Sequence, residues 1–359
     1  MRVLHVDSAR SWRGGQNQVL LAARGMAARG HQVALACQQG GVLEGRARQT
    51  GLEVAGLRFQ GDLSPGAVLP LARLLKRFRP DVVQLHDPHA VSAGLLAARL
   101  RPGARLLATR RVDFPLRGWL SRAKYRACGR VVAVSRAIAA VLAAAGLSPA
   151  RLSVVYEGVP DRAPQGGGRA ALQALGVPAG APLVGNIAAL TDHKDHPTLL
   201  AAAATVVAQR PEVRFVIVGD GEGGARATLE ARARALGLEG RCLFLGFRDD
   251  LDALLPAFDV FCLSSHMEGL GTSLLDAMAF ARPVVATRAG GIPEAVEDGV
   301  TGRLVPVRDP AALAAGLLEA LADPARAAAW GRAGRARYQE RFTADRMVES
   351  SLAVYAEGA

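Results

Sequence analysis

Residues 260–279 read VFCLSSHMEGLGTSLLDAMA and contain the clearest indication of how this chain folds. A short run of large apolar residues, typical of a buried strand, ends at Ser264 and leads into a loop that contains Gly269 and Gly271. An apolar helical pattern then begins near Thr272. A strand, a glycine-containing loop and a helix in this order are the repeating unit of parallel α/β sheets.

The start of this helix predicts an anion site. Glycine has no Cβ, so backbone N–H groups can approach a ligand closely, and the free N–H groups of a helix start favour a phosphate. Glu268 and Asp276 flank this start, and their carboxylates can accept hydrogen bonds from paired sugar hydroxyls. The alternative is a purely structural turn in which a hydroxyl caps the helix and the acid complements its dipole.

The same alternation of strand and helix recurs along the chain. Apolar runs of strand type, six in each half, are separated by helical patterns, which predicts parallel sheets covered by helices on both faces. The runs lie at 2–6, 32–37, 81–86, 105–109, 130–134 and 152–156, and at 182–188, 213–219, 242–247, 260–264, 283–287 and 302–306. The segment 159–182 is rich in glycine and proline and is the expected linker between two domains.

The net charge of +12 is distributed unevenly over the 359 residues. Residues 1–168 contain 25 basic and 9 acidic residues, whereas residues 169–359 contain 19 and 23. The basic half, densest at 99–136, suits an anionic ligand or an anionic lipid surface, and the alternative is a solvated arginine-rich surface. Aromatic residues make up only 5% and form no stacking platform, so no nucleic-acid partner is expected.

The remaining features of composition predict a cytoplasmic protein. No apolar run approaches the ~20 residues of a membrane span, and the N-terminus is typical of a first strand rather than of a signal peptide. The four cysteines lack the spacing of a metal site or a disulfide framework, which fits a reduced compartment. They are Cys37, Cys128, Cys242 and Cys262.

The stretch around Glu268 resembles the E-x7-E motif of retaining glycosyltransferases of family 4, which have the GT-B fold. The match extends through LLDAMAFARPVVATRAGGIPEAVEDGVTGRLV at 274–305, with AVS at 133–135 and VVYEGV at 154–159. The resemblance implies an α/β protein with two Rossmann-like domains whose parallel sheets face each other across a cleft. The implied domains are an acceptor-side domain at 1–162, a nucleotide-sugar-binding domain at 163–340, and a C-terminal helix at 341–359 that packs back on the first domain.

The resemblance also implies roles for individual residues. His86 in DVVQLHDPHA and Glu268 are the expected catalytic residues; His86 would orient sugar hydroxyls or stabilise positive charge at the sugar ring, and Glu268 would bind the hexose. His89, Arg110 and Arg111 are expected on the acceptor side. The residues expected to bind the donor are Gly14, Gly15, Lys194, Gly219, Phe247, Arg248, Glu268, Gly269, Leu270, Gly271, Thr272, Ser273 and Asp276, the last at the ribose.

The sequence departs from the family pattern at three places. Asp276 stands where the family usually has glutamate, so its contact with the ribose is expected to be longer or mediated by water. Asn186 stands where an arginine is usual, so the diphosphate is expected to depend on Lys194 and backbone N–H groups. Glu157-Gly158 replaces the usual Asn-Gly.

The reaction implied is transfer of a sugar from a nucleotide-sugar to a hydroxyl of a glycan or lipid-linked acceptor, with retention, without metal or other cofactor. The protein is expected to act in the synthesis of cell-surface glycans such as lipopolysaccharide. Peripheral contact with the anionic inner membrane face is also expected. Two alternatives stay open, a sugar-nucleotide epimerase of the same fold and a non-catalytic sugar-nucleotide-binding protein.

A dinucleotide site at VGDGEGG (218–224) is disfavoured because this pattern follows the second strand of its half. The D-x-D at 250–252 is expected to cap a helix.

Overall fold

The computed structural model describes residues 1–116 and 118–357. The chain divides into two compact units, one formed by Met1–Gly158 with the segment from Ala344 onward, the other by Val159–Thr343. These limits lie a few residues from the expected boundaries after residues 162 and 340, and the functional roles assigned to the domains stay predictions. Within the described ranges, no helix combines the length and the apolar character that crossing a membrane requires.

Unit 1 contains a parallel sheet of seven strands. Because its strands are apolar on both faces, helices cover both sides of the sheet. The strand order is β3-β2-β1-β4-β5-β6-β7. The strands are β1 (Arg2–Asp7), β2 (Gln32–Gln38), β3 (Glu53–Leu57), β4 (Val82–Leu85), β5 (Arg105–Arg110), β6 (Arg130–Ala133) and β7 (Leu152–Val154).

The helices of unit 1 connect these strands, and a helix from the end of the chain joins them. They are α1 (Gly14–Ala28), α2 (Val42–Arg48), α3 (Pro65–Phe78), α4 (Pro88–Leu100), α5 (Trp119–Arg126) and α6 (Arg136–Ala144), with a helix at Ala344–Ala356. This last helix packs on α1, where Val348 lies against Gly25 so closely that no Cβ would fit there. Residues 358 and 359, the last two of the segment 341–359 that the resemblance assigns to this helix, lie outside the described residues.

Unit 2 contains a parallel sheet of six strands in the order β10-β9-β8-β11-β12-β13. The strands are β8 (Leu183–Ile187), β9 (Arg214–Val218), β10 (Cys242–Gly246), β11 (Val260–Leu263), β12 (Val284–Thr287) and β13 (Gly302–Val305). The helices are α7 (Gly168–Ala174), α8 (His196–Gln209), α9 (Ala225–Ala235), α10 (Leu251–Ala257), α11 (Thr272–Ala279), α12 (Ile292–Ala295), α13 (Pro310–Ala322) and α14 (Pro324–Arg341). The helix at Ala344–Ala356 is therefore α15.

Four helices begin with an aspartate N-cap, whose side chain accepts a hydrogen bond from an N–H group of the first turn. Proline in the first turn accompanies it each time, because its missing N–H would be unpaired there anyway. The caps are Asp87 on α4, Asp195 on α8, Asp309 on α13 and Asp323 on α14.

The architecture of two Rossmann-like α/β domains is confirmed, and all six strands expected in the second half are present. The expectation of six strands in the first half is wrong, because β3 is a seventh. Its sequence EVAGL is short, only Leu57 is fully buried, and the strand lies at the sheet edge. An edge strand needs less apolar sequence, so its pattern did not stand out.

Each sheet reverses its strand order at one point, between β1 and β4 in unit 1 and between β8 and β11 in unit 2. At such a point the loops at the carboxyl ends of the two strands run to opposite sides and leave a crevice. His86 follows β4, and Lys194 and Glu268 lie in the loops after β8 and β11. The expected site residues therefore lie at the places where open α/β sheets bind ligands.

Two glycines of α14 test how closely this helix packs. A Cβ on Gly331 would lie 2.1 Å from the carbonyl oxygen of Ala281, whereas a Cβ on Gly334 would meet only ordinary contacts at 3.5 Å or more. We expect Gly331→Ala to lower the free energy of unfolding by about 1–3 kcal/mol. Gly334→Ala, the control, should be neutral or raise it by about 0.5–1 kcal/mol. Equal effects of the two changes in urea denaturation would contradict the packing described.

Candidate functional site

In unit 2 the site is built by the loops after β8 and β11. Lys194 ends a short 3₁₀ turn, Asp192–Lys194, and Glu268 lies in the loop that leads to α11. The Lys194 ammonium forms an ion pair with Oε2 of Glu268, and the side chains are only 17% and 12% exposed. The Ser265 hydroxyl also donates to this carboxylate oxygen, at 3.1 Å. A cation and an anion are thus held together at the switch point of the sheet.

Hydrogen bonds between the two loops fix this arrangement. The N–H of His266 donates to the carbonyl of His193 at 3.0 Å, and the hydroxyl of Ser264 donates to the carbonyl of Lys194 at 2.9 Å. Both loops are therefore positioned by hydrogen bonds to backbone carbonyls, and the pair of charged side chains does not have to hold them together alone.

The start of α11 lies at the end of the same loop. The helix begins at Thr272, as expected, and Gly271 precedes it in the left-handed region with φ = +91°. No side chain caps this start, so the first N–H groups of the helix point out of it without an intrahelical partner. These N–H groups and the positive end of the helix dipole are suited to bind an anion, and anion binding at this place stays a prediction.

Asp276 lies in the second turn of α11 and faces two charged neighbours. Its Oδ1 accepts a hydrogen bond from Arg162 at 2.6 Å, and the same guanidinium pairs with Asp252 at 2.9 Å. Burial raises the pKa of Asp276 to about 6, although Arg162 acts in the opposite direction. No sequence pattern pointed to Arg162, and the contact of Asp276 with a ribose stays a prediction.

Removal of Arg162 tests this pair. The pKa of Asp276 lies above its usual value, so burial of the ionised carboxylate costs stability above pH 6, where Arg162 offsets the cost. We expect Arg162→Met to lower the free energy of unfolding by about 1–3 kcal/mol at pH 7.5 and by less at pH 5, where Asp276 is largely protonated. Urea denaturation at both pH values measures the difference.

The control for this change is Arg226→Met, which removes an exposed ion pair with Glu230 in α9. Such a pair contributes about 0.2–1 kcal/mol. A loss in Arg162→Met that is the same at pH 5 and pH 7.5 would show that Asp276 does not depend on Arg162 for its charge.

In unit 1 the switch point holds a pair of buried histidines. His86, directly after β4, stacks on His5 of β1, with Nε2 2.9 Å from Nδ1 of His5. A guanidinium nitrogen of Arg111 lies 3.1 Å from Nδ1 of His86, and Arg111 also pairs with Glu157 at 2.8 Å. Burial, assisted by Arg111, lowers the pKa of His86 well below its usual range and lowers the pKa of His5 to about 3.

These contacts assign the protons of both rings. A guanidinium can only donate, so Nδ1 of His86 accepts and the ring proton lies on Nε2, which donates to His5. The proton of His5 is then on its Nε2, a buried atom with no partner among the described residues. Both histidines are therefore neutral, and a sugar hydroxyl can reach a ring nitrogen of His86 only by displacing Arg111 or His5.

Asp7, at the end of β1, is a further buried acid at this edge of the sheet. The Gln16 side chain and the N–H of Ala9 donate to its carboxylate. Burial and the neighbouring carboxylate of Asp87 raise the pKa of Asp7 to about 6. Asp7 is not among the predicted site residues, although an acid that ends an apolar strand is a signal that could have identified it.

Removal of Arg111 tests the assignment of His86. Arg111 contributes to the lowered pKa, so in Arg111→Met we expect the pKa of His86 to rise toward its usual range while burial still holds it below that range. NMR titration of ¹⁵N-labelled histidine measures this change. Arg130→Met, which removes an arginine of the same sheet that contacts Ser153, is the control. A His86 titration that is the same in both folded variants would contradict the assignment.

The other predicted residues lie at the carboxyl ends of the strands or beside them. Gly14 and Gly15 are the first two residues of α1, and Gly15 lies against Arg111. Gly219, after β9, has φ = +137°, and a Cβ there would meet the carbonyl oxygen of Ala188 at 2.0 Å, so close packing requires glycine.

Several predicted residues already have protein partners. Arg248 pairs with Asp250, next to the exposed Phe247. His89 pairs with Asp62, and Arg110 donates to two carbonyls of the following loop. Their roles toward a donor or an acceptor stay predictions.

Two further expectations concern structure rather than binding. Asp250 is the residue before α10, but its side chain does not cap the helix, because it binds Arg248 instead. Asn186 lies on β8 and donates to the carbonyl of Cys262 on β11, so it ties the two strands of the switch point together. Among the described residues, no group of three or more His, Cys, Asp or Glu side chains is arranged to hold a metal ion.

Two family models match the chain, one in each unit. The model described as Glycosyltransferase Family 4 matches residues 12–162, and the model described as Glycosyl transferases group 1 matches residues 169–337. The chain belongs to glycosyltransferase family 4. The resemblance carried by the motif around Glu268 is thereby confirmed.

Curated relatives match over part of their length. The D-inositol 3-phosphate glycosyltransferase of Mycolicibacterium paratuberculosis is 36% identical over 213 residues, which are 58% of this chain and 47% of that protein. The lipopolysaccharide core biosynthesis glycosyltransferase LpsE of Rhizobium meliloti is 37% identical over 149 residues, 42% of each. The matches thus span about half of these curated relatives or less.

Solved structures match over nearly the whole chain. Anabaena HepE in complex with UDP-glucose has a TM-score of 0.87 and 25% identity, and the match covers 99% of this chain and 100% of that one. The lipopolysaccharide outer core galactosyltransferase WaaB has a TM-score of 0.73 at 16% identity, which supports the fold alone.

Proposed function

We propose that this protein transfers a sugar from a nucleoside-diphosphate sugar to a hydroxyl of an acceptor, with retention of the anomeric configuration. The observation that carries the proposal is the Lys194–Glu268 pair beside the uncapped start of α11. A diphosphate needs cations and N–H donors, and a hexose needs a carboxylate acceptor. The relatives named as glycosyltransferases and the complex of HepE with UDP-glucose support this class of substrate.

The chemistry assigns a task to each group. The bond between the anomeric carbon and the diphosphate oxygen breaks, and a bond to the acceptor oxygen forms on the same face. The acceptor proton passes to the leaving phosphate oxygen. Lys194 and the first N–H groups of α11 stabilise the charge that develops on the diphosphate, and Glu268 holds the hexose hydroxyls. His86 is neutral, and it orients the sugar once a sugar hydroxyl displaces Arg111 from its Nδ1. No divalent metal takes part in this proposal.

The acceptor is proposed to be a glycan or a lipid-linked saccharide at the inner membrane face. The excess of basic residues in 1–168 suits an anionic surface, and the name of the relative LpsE connects a similar chain with lipopolysaccharide core synthesis. The protein would then act in cell-surface glycan synthesis.

The proposal is tested in two steps, first by donor binding and then by turnover of the donor that binds. A panel of UDP, GDP and ADP sugars should include one that stabilises the protein by ~2.7 kcal/mol at 100 times its dissociation constant. With that donor, we expect Lys194→Met to lower kcat of nucleoside diphosphate release by about 10²–10³. Lys76→Met, an exposed lysine of α3, is the control and should leave turnover unchanged.

The other outcomes separate the alternatives. Turnover should persist in EDTA, and NMR of the product should show the anomeric configuration of the donor. Interconversion of the donor sugar without acceptor would identify an epimerase. Donor binding without any turnover in the presence of glycan and lipid-linked acceptors would contradict a transferase.

A further inference from the structure

The helix α5 of unit 1 presents an unusual surface. Trp119 and Leu120 are 72% and 65% exposed, and Leu63 of a neighbouring loop is 77% exposed. Large apolar side chains grouped on a surface in this way mark an interaction site more often than scattered single ones do.

The periodicity of α5 explains which side chains face outward. Tyr125 is buried and Ser121 is half-buried, so the helix packs on this side. Trp119, Arg122 and Arg126 lie three and four residues apart on the opposite side and are exposed. The outer side of the helix thus begins with an indole and continues with two guanidinium groups. We define Leu63, Trp119, Leu120, Arg122 and Arg126 as the docking face.

The charges of this face are not neutralised by acids. Arg126 donates to the carbonyl of Gly146, which is neutral, and Arg122 has no acidic partner among the described residues. Asp62, an acid close to α5, pairs with His89 and with Lys124. The face therefore combines apolar side chains with uncompensated positive charge.

The contacts of α5 place the docking face at the edge of the unit 1 sheet where the strands end and where His86 lies. Arg110, at the carboxyl end of β5, donates to the carbonyls of Val112 and Phe114 and so holds the loop before α5. Lys124 donates to the carbonyl of Pro88, at the start of α4, two residues after His86. The first turn of α5 is thus on the same edge of the sheet as His86.

We propose that unit 1 docks on an anionic lipid bilayer through this face, with Trp119 and Leu120 inserted among the lipids. Tryptophan and leucine suit the boundary between headgroups and acyl chains, and arginine beside them binds anionic headgroups. The inference deepens the proposed function, because it places a lipid-linked acceptor next to the edge of the sheet that carries His86. It is tested without turnover, so each can fail separately.

Co-sedimentation with vesicles tests the docking face. The wild-type chain should bind phosphatidylcholine vesicles that contain phosphatidylglycerol at least tenfold more tightly than vesicles of phosphatidylcholine alone, and salt should weaken this binding. Trp119→Ser with Leu120→Ser should lower binding at least tenfold. Leu100→Ser with Leu175→Ser, at two exposed leucines elsewhere, is the matched control and should bind like the wild type.

Two further measurements separate insertion from adsorption. Brominated phosphatidylglycerol should quench the fluorescence of the wild type, and Trp119→Phe should lose most of this quenching while it still binds. Arg122→Gln with Arg126→Gln should reduce both the binding and its dependence on salt. Circular dichroism and thermal unfolding establish that each variant is folded.

Three results would overturn the proposal. They are absence of vesicle binding, binding that the Trp119→Ser and Leu120→Ser changes leave unaltered, and equal binding to neutral and anionic vesicles. Concentration-dependent dimers that these changes abolish, without vesicle binding, would identify a second copy as the occupant. Acceptor-dependent release of nucleoside diphosphate that persists in the double serine variant would show that a failure of docking leaves the proposed function standing.

Discussion

The candidate site depends on the connection between two loops of unit 2 at the point where the strand order reverses. The Lys194–Glu268 ion pair and the two hydrogen bonds between these loops hold a cation and a carboxylate beside the open start of α11. Burying the Lys194 or the Glu268 charge alone would cost free energy because each side chain is largely removed from water. The ion pair offsets this cost for both groups. The same pair supplies the two kinds of contact that a sugar diphosphate needs.

The switch point of unit 1 carries neutral histidine rings in place of a charged pair. His86 and His5 are in contact there, and Arg111 fixes the proton position in both rings. Arg111 in turn is neutralised by Glu157. The low pKa keeps His86 neutral near neutral pH, and its nitrogens become open to a sugar hydroxyl only when Arg111 or His5 is displaced. The charged pair of unit 2 suits a charged ligand. The two switch points are therefore chemically different although the sheets share one topology.

The features that could be predicted from the sequence are those that depend on a local pattern of residues. The strand, loop and helix around Glu268, the helix start at Thr272 and the parallel sheets follow from apolar runs and glycines. The sequence did not predict pairings between distant residues. Arg162 and Asp276 are 114 residues apart, and nothing local connects them. The edge strand β3 was missed because its exposed side chains lack an apolar run.

A crystal soaked with the nucleoside diphosphate that stabilises the protein most would locate the diphosphate site. We expect diphosphate oxygens within about 3 Å of the Lys194 ammonium and of the first N–H groups of α11. The amino ends of the strands in the same sheet border a different cavity of about 530 Å³, whose lining includes Arg169, Arg210 and Arg282. Diphosphate density in that cavity, with none beside Lys194, would show that the Lys194–Glu268 pair does not bind the donor.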